Sequence, residues 1–178
     1  MRILVTYVTV GRGGDAVQLA ALGRALRTQG HDVRVVGASG VRPYAFGSAG
    51  ARLRNVARRL PWWGRDAVEL GLGLAAAVRA LQKSRGSWDL LIHRAGLYDA
   101  LMGFVARRRG IPMVLYLDAH VDSERSFRGE RYWRRLHGWA MRLLGRAAAV
   151  VVTPSRAVAD YYAALGVPAD KILIRRNG

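Results

Sequence analysis

The sequence contains no cysteine, so neither a disulfide nor a thiolate metal site is open to it. Its histidines, His31, His93, His120 and His137, are widely spaced, and none has a histidine partner four residues away. That spacing argues against a metal centre. Lysine is almost missing, with only Lys83 and Lys171. The longest weakly polar stretch, LGLGLAAAV at 70–78, falls far short of the roughly 18–20 residues that a membrane-spanning helix needs. The chain opens directly on a strand pattern, without the basic, apolar and small-residue regions of a secretory signal, and the expected location is the cytoplasm. Zinc-finger spacing, an RNP-like aromatic pattern and a basic zipper are all missing, which argues against a nucleic-acid module.

What the chain has in excess is arginine. Lys plus Arg total 29 against 12 Asp plus Glu, a net charge of +17. Such a charge favours polyanions: nucleic acid, an anionic membrane surface or phosphorylated substrates. A GC-rich genome would also raise arginine. With 51% apolar and 23% charged residues the composition is that of a globular protein. Its 178 residues suffice for one domain with a sizeable core and are few for two.

Apolar runs alternate with helical patterns throughout. Strands are expected at 2–8, 32–37, 88–93, 112–118, 148–153 and 171–176, and helices at 15–29, 66–84, 98–109, 130–146 and 154–165. Gly30 and Gly166 are placed to end helices, and Thr153 with Pro154 reads as an N-cap and N1 pair. The stretch 119–128 reads as a polar loop, and 38–65 is the least regular region. Short apolar strands with helical neighbours predict an open, doubly wound, Rossmann-like parallel sheet with helices on both faces.

Ligands in such a sheet bind beyond the carboxyl ends of the strands. After the first strand, Gly11, Gly13 and Ala16 fit the G-x-G-x-x-A spacing. Gly13 and Gly14 permit a tight turn into a helix whose free N–H groups suit an anion, and Arg12 adds charge. A dinucleotide site would also need an acid at the end of the second strand, yet RVVGASG has none; Arg42 keeps an NADP reading open. LDAHVDSER at 117–125 sets Asp118, His120, Asp122 and Glu124 in one segment after a strand. His120 is the candidate acid, base or hydrogen-bond donor, and Asp118, Asp122 and Glu124 are candidates to orient it or bind hydroxyls. His93 and Arg94 end the preceding strand; His93 is either a substrate contact or a core histidine. His31 and His137 read as ordinary surface or helix residues. In ARLRNVARRLPWWGR at 51–65, Arg52, Arg54, Arg58 and Arg59 accompany Trp62 and Trp63, a combination that suits a membrane interface or a surface helix with its Trp pair in the core. A second basic, aromatic segment spans 127–146 and could reinforce such a membrane face, although its apolar stripe better suits packing on the sheet.

The glycine loop with LAALGRALRTQGHDVRVV, then WDLLIHRAG, PMVLYLDAHVDSER and AAAVVVTPSRAVADYYAALGVPADKILIRRNG, resembles the N-terminal, acceptor-side half of a GT-B glycosyltransferase of family 4. The likeness covers nearly the whole chain as one domain, 1–178. It implies a retaining enzyme of two domains that moves a sugar from a nucleotide-sugar donor to an acceptor, with no cofactor and no metal. Gly13, Gly14 and Arg12 would face the donor diphosphate or the acceptor, and His120 the reacting sugar. His93, Asp118, Glu124 and Ser155, which leads the last helix, would complete the substrate side. The groups that neutralise the leaving diphosphate and hold the donor sugar belong to the second half of the family pattern, which is not in this sequence. The chain alone is therefore expected to have little activity, with that domain in cis or on a partner chain.

Some relatives load lipid acceptors through a basic, aromatic face of this half, so 51–65 becomes the expected contact with an anionic membrane, at the inner face of the plasma membrane. Two other readings remain: an NADP-binding oxidoreductase domain, and a non-catalytic subunit that recruits membrane or acceptor for a separate catalytic chain.

Overall fold

The computed structural model describes residues 1–7, 14–37, 59–83, 87–127, 129 and 131–175. Its strands are β1 (Arg2–Tyr7), β2 (Asp32–Gly37), β3 (Leu90–Arg94), β4 (Met113–Tyr116), β5 (Val150–Thr153) and β6 (Ile172–Ile174). The helices are α1 (Gly14–Thr28), α2 (Trp62–Lys83), α3 (Leu101–Arg109), α4 (Val121–Phe127), α5 (Arg134–Ala147) and α6 (Arg156–Ala164), with a 3-10 turn at Ala169–Lys171. All six strands form one sheet in the order β2-β1-β3-β4-β5-β6, and every pairing is parallel.

Strand alternation divides the core between the two faces of the sheet. Leu4, Leu91, Met113, Leu115 and Val151 point to one face, where they pack with Ala77 of α2, Met102 of α3, Met141 of α5 and Val158 of α6. Ile3, Val5, Tyr7 and Ile92 point to the other, beneath Leu19 of α1. Burial on both faces explains why β1 reads as a continuous apolar run. The strand order goes with this division, since crossovers of one hand in opposite directions put helices on opposite faces: the chain steps one way from β1 to β2, then returns past β1 and advances from β3 to β6. The switch of direction lies between β1 and β3, the place where sheets of this kind bind ligands.

Helix boundaries depart from the sequence pattern where local chemistry intervenes. α2 begins at Trp62, not 66, because the Pro61 carbonyl accepts from the N–H groups of Gly64 and Arg65. The expected polar loop 119–128 contains α4, which buries no residue. Its support is polar: His120 accepts at its N-terminus from the Ser123 N–H, and Asp122 and Glu124 occupy the first turn, where acidic groups complement the helix dipole. The cap of α6 is Ser155, whose hydroxyl accepts from the Val158 N–H at 3.3 Å. Thr153 is instead the last residue of β5. Gly30 and Gly166 end their helices with φ of 83° and 92°, in the left-handed region that glycine enters without strain.

Candidate functional site at the carboxyl edge of the sheet

His93 and Arg94 end β3, Asp118 follows β4 and Thr153 ends β5, so all four stand at the carboxyl edge of the sheet. Arg94 and Asp118 form an ion pair there. With Tyr116, Thr153, Pro154 and Arg175 they line a groove of about 550 Å³, whose opposite wall includes Leu19 and Leu22 of α1. The groove is therefore charged along the strand ends and apolar along the helix. Gly14 starts α1. Arg12 and Gly13 lie outside the described residues.

His120 is not part of that groove. It follows β4 and is half-buried, with its ring stacked on Tyr161 of α6 at 4.0 Å between centroids. Its Nδ1 accepts from the Ser123 N–H at 3.2 Å and lies 3.0 Å from the Ser123 hydroxyl. An accepting Nδ1 places the proton of the neutral ring on Nε2. The ring is thereby held as a hydrogen-bond donor through Nε2. Asp122 serves the scaffold instead. It accepts from the Tyr132 hydroxyl and pairs with Arg134 at 2.8 Å, tying α4 to the start of α5. Glu124 is exposed, and Ser155 is engaged as the cap of α6.

His93 is fully buried, and both its ring nitrogens are engaged. Nδ1 meets the Thr6 hydroxyl at 2.9 Å and Nε2 meets the Asp99 carboxylate at 2.8 Å. The carboxylate fixes the tautomer with hydrogen on Nε2, so Nδ1 accepts from Thr6. Asp99 also accepts from the Gly96 N–H at 2.9 Å, so this chain of bonds sets the loop after β3. His93 offers no free ring atom to a substrate; its place is beneath the site.

His137 departs from the expectation of an ordinary helix residue. It is 1% exposed, and its Nδ1 donates to the Leu97 carbonyl at 2.9 Å, among Tyr132, Tyr161 and Tyr162. Burial depresses its pKa below the ordinary value, against the opposing pull of the Leu97 bond, Asp122 and Asp99.

Sequence reasoning missed a second buried cluster. Asp66 of α2 is wholly buried and accepts from the Tyr98 hydroxyl and the Trp133 N–H, each at 2.8 Å. Desolvation and the neighbouring Asp66 raise the Tyr98 pKa. These bonds join α2 to the loops before α3 and α5. An acid at 66 resembles a helix-start residue, and that signal concealed its role.

Of the expected membrane segment, Arg59 and Trp63 are exposed and Trp62 is half-buried, whereas Arg52, Arg54 and Arg58 lie outside the described residues. Among the described residues no helix is long and apolar enough to cross a membrane, and no three His, Cys, Asp or Glu residues come together as a metal site.

HepE from Anabaena, solved in complex with UDP-glucose, shares the fold with a TM-score of 0.64 at 18% identity, over 100% of this chain and 44% of its own. UDP-N-acetylglucosamine 2-epimerase from Rickettsia bellii gives 0.54 at 17% identity, over 97% and 43%. MurG from Acinetobacter baumannii gives 0.50 at 16%, over 99% and 45%. At these identities the likeness is one of fold, and the chain spans less than half the length of each structure. No curated protein matches its sequence. The profile of Glycosyltransferase Family 4 matches residues 12–178, and the chain belongs to that family.

Proposed function

We propose that this chain is the acceptor-side half of a retaining glycosyltransferase that moves a hexose from a nucleotide-sugar donor to a lipid-linked acceptor. The carrying observation is the family match across the chain, joined to a sheet whose carboxyl edge holds a groove with one charged and one apolar wall. A sugar on an apolar carrier needs both walls. HepE has been solved with UDP-glucose and with UDP and glucose, which supports a sugar nucleotide as co-substrate. Family membership favours this reading of the glycine loop over a nicotinamide one.

In the transfer, the bond from the anomeric carbon to the diphosphate oxygen breaks and its electron pair leaves with the diphosphate. The acceptor oxygen bonds to that carbon and gives up its proton to the departing diphosphate oxygen. His120, held with hydrogen on Nε2, donates to a sugar oxygen near the reacting carbon. Asp118, held by Arg94, accepts from an acceptor hydroxyl, and the glycine loop with Arg12, Gly13 and Gly14 is assigned to the diphosphate. Glu124 and Ser155 stand at the margin of the site. The donor-holding groups come from a second domain, in cis or on a partner chain. No cofactor and no metal take part, so transfer should persist in a chelator. The reaction lies at the cytoplasmic side of the membrane.

Steady-state kinetics of the native gene product separates the two substrates. Asp118→Asn is expected to raise the acceptor KM about tenfold and leave the donor KM unchanged. The reverse pattern would take the acceptor out of this half. Product stereochemistry, read by NMR, tests retention: a product of inverted configuration removes it.

A further inference from the structure

The outer surface of the helical layer has a composition that the groove does not explain. α3 and α5 carry no acidic residue, yet α3 ends in Arg107, Arg108 and Arg109, and α5 contains Arg134, Arg135, Arg142 and Arg146. The two helices cross closely, because a Cβ on Gly103 would stand only 3.0 Å from that of Ala147. Their outer sides therefore form one surface. Phe104 is 60% exposed and Trp139 54%. With Leu101, Leu143, Arg107 and Arg108 they line a shallow depression of about 620 Å³, which shares no residue with the groove near α1.

Exposed aromatic rings ringed by arginine call for an occupant that takes apolar groups and positive charge together. A second copy of the chain does not fit, since a self-complementary contact would set arginines against arginines with no carboxylate from either helix. An anionic bilayer fits both demands: tryptophan settles at headgroup depth and arginine meets lipid phosphate. We propose that the outer face of α3 and α5 docks this chain on an anionic lipid surface, with Phe104 and Trp139 inserted and Arg107, Arg108 and Arg135 against the phosphates. The proposal stands independently of sugar transfer.

Flotation of the full chain with vesicles tests it. The protein should rise with vesicles of phosphatidylcholine containing about 30% phosphatidylglycerol, not with phosphatidylcholine alone, and added salt should weaken the association. Each surface arginine contributes roughly fivefold to partitioning, so Arg107→Glu with Arg108→Glu should lower it by more than about tenfold. Phe104→Ser with Trp139→Ser should do the same, and circular dichroism checks that each variant is folded. Quenching of tryptophan fluorescence by brominated lipid should fall in Trp139→Phe. Equal binding to neutral vesicles, no binding, or folded variants that bind undiminished would overturn the proposal. So would loss of binding in Trp63→Ser alone.

Discussion

His137 and Asp66 show how single side chains in this protein carry more than the sequence discloses. The folded protein holds the His137 pKa below its ordinary 6.5, whereas the unfolded chain binds its proton near that value. Below about 6.5 the unfolded state therefore takes up the proton first. Stability is full above that pH, falls as pH drops toward the depressed folded value, and levels below it. The urea midpoint measured at about pH 7.5 and about pH 5.5 should fall more in the wild type than in His137→Gln, which keeps a donor for the Leu97 carbonyl but does not titrate. Equal falls would contradict the burial argument. At Asp66, an alanine would leave the Tyr98 hydroxyl and the Trp133 N–H without their buried acceptor. The expected loss is about 3 kcal/mol, measurable by denaturation, and a loss below about 1 kcal/mol would show that water replaces the carboxylate. Neither role was legible beforehand, because burial is set by distant elements: His137 meets Leu97 and Asp66 meets Trp133 only after the helices pack. His93 was legible in part. Its place at the end of an apolar strand suggested either contact or core, and the bonds to Thr6 and Asp99 choose the core.

The strands were the most legible elements, since β1, β3, β4 and β5 are largely buried and all six read as short apolar runs between helical patterns. The helix starts were less so, because a cap depends on which carbonyl or side chain turns inward. The pattern at 119–128 has no apolar stripe, so α4 left no periodic signal; its support comes from His120 and the acids of its first turn. Helix contacts in α5 give a test with two opposite signs. A Cβ on Gly145 would stand 2.7 Å from Val167 Cγ1, whereas on Gly138 the nearest atom is Leu165 Cδ2 at 3.5 Å. Gly145→Ala should therefore cost about 1–3 kcal/mol through overpacking. Gly138→Ala should gain up to about 1 kcal/mol from helix propensity. Thermal melting of the two variants reads the difference, and equal shifts would deny the close approach of α5 to Val167.

Among the described residues, the arginine-rich helical face and the candidate groove are separate surfaces. The helices α3 and α5 present arginine and exposed aromatic rings outward, while the strand ends and α1 enclose the groove that holds Arg94 and Asp118. The net charge of +17 favours a polyanionic partner, but composition alone has no means of choosing the face. The opening glycine loop and the last strand, helix and turn carried the resemblance to family 4, and the profile match confirms the family. The candidate site was less legible, because its residues come from the ends of separate strands. The most direct test of the account is sugar transfer by the native gene product, with a panel of sugar-labelled nucleotide donors and a lipid extract from its own cells. The account predicts label in a lipid product with release of the nucleoside diphosphate, and a kcat reduced about a hundredfold in folded His120→Ala. Donors left intact across the panel by folded protein would contradict it.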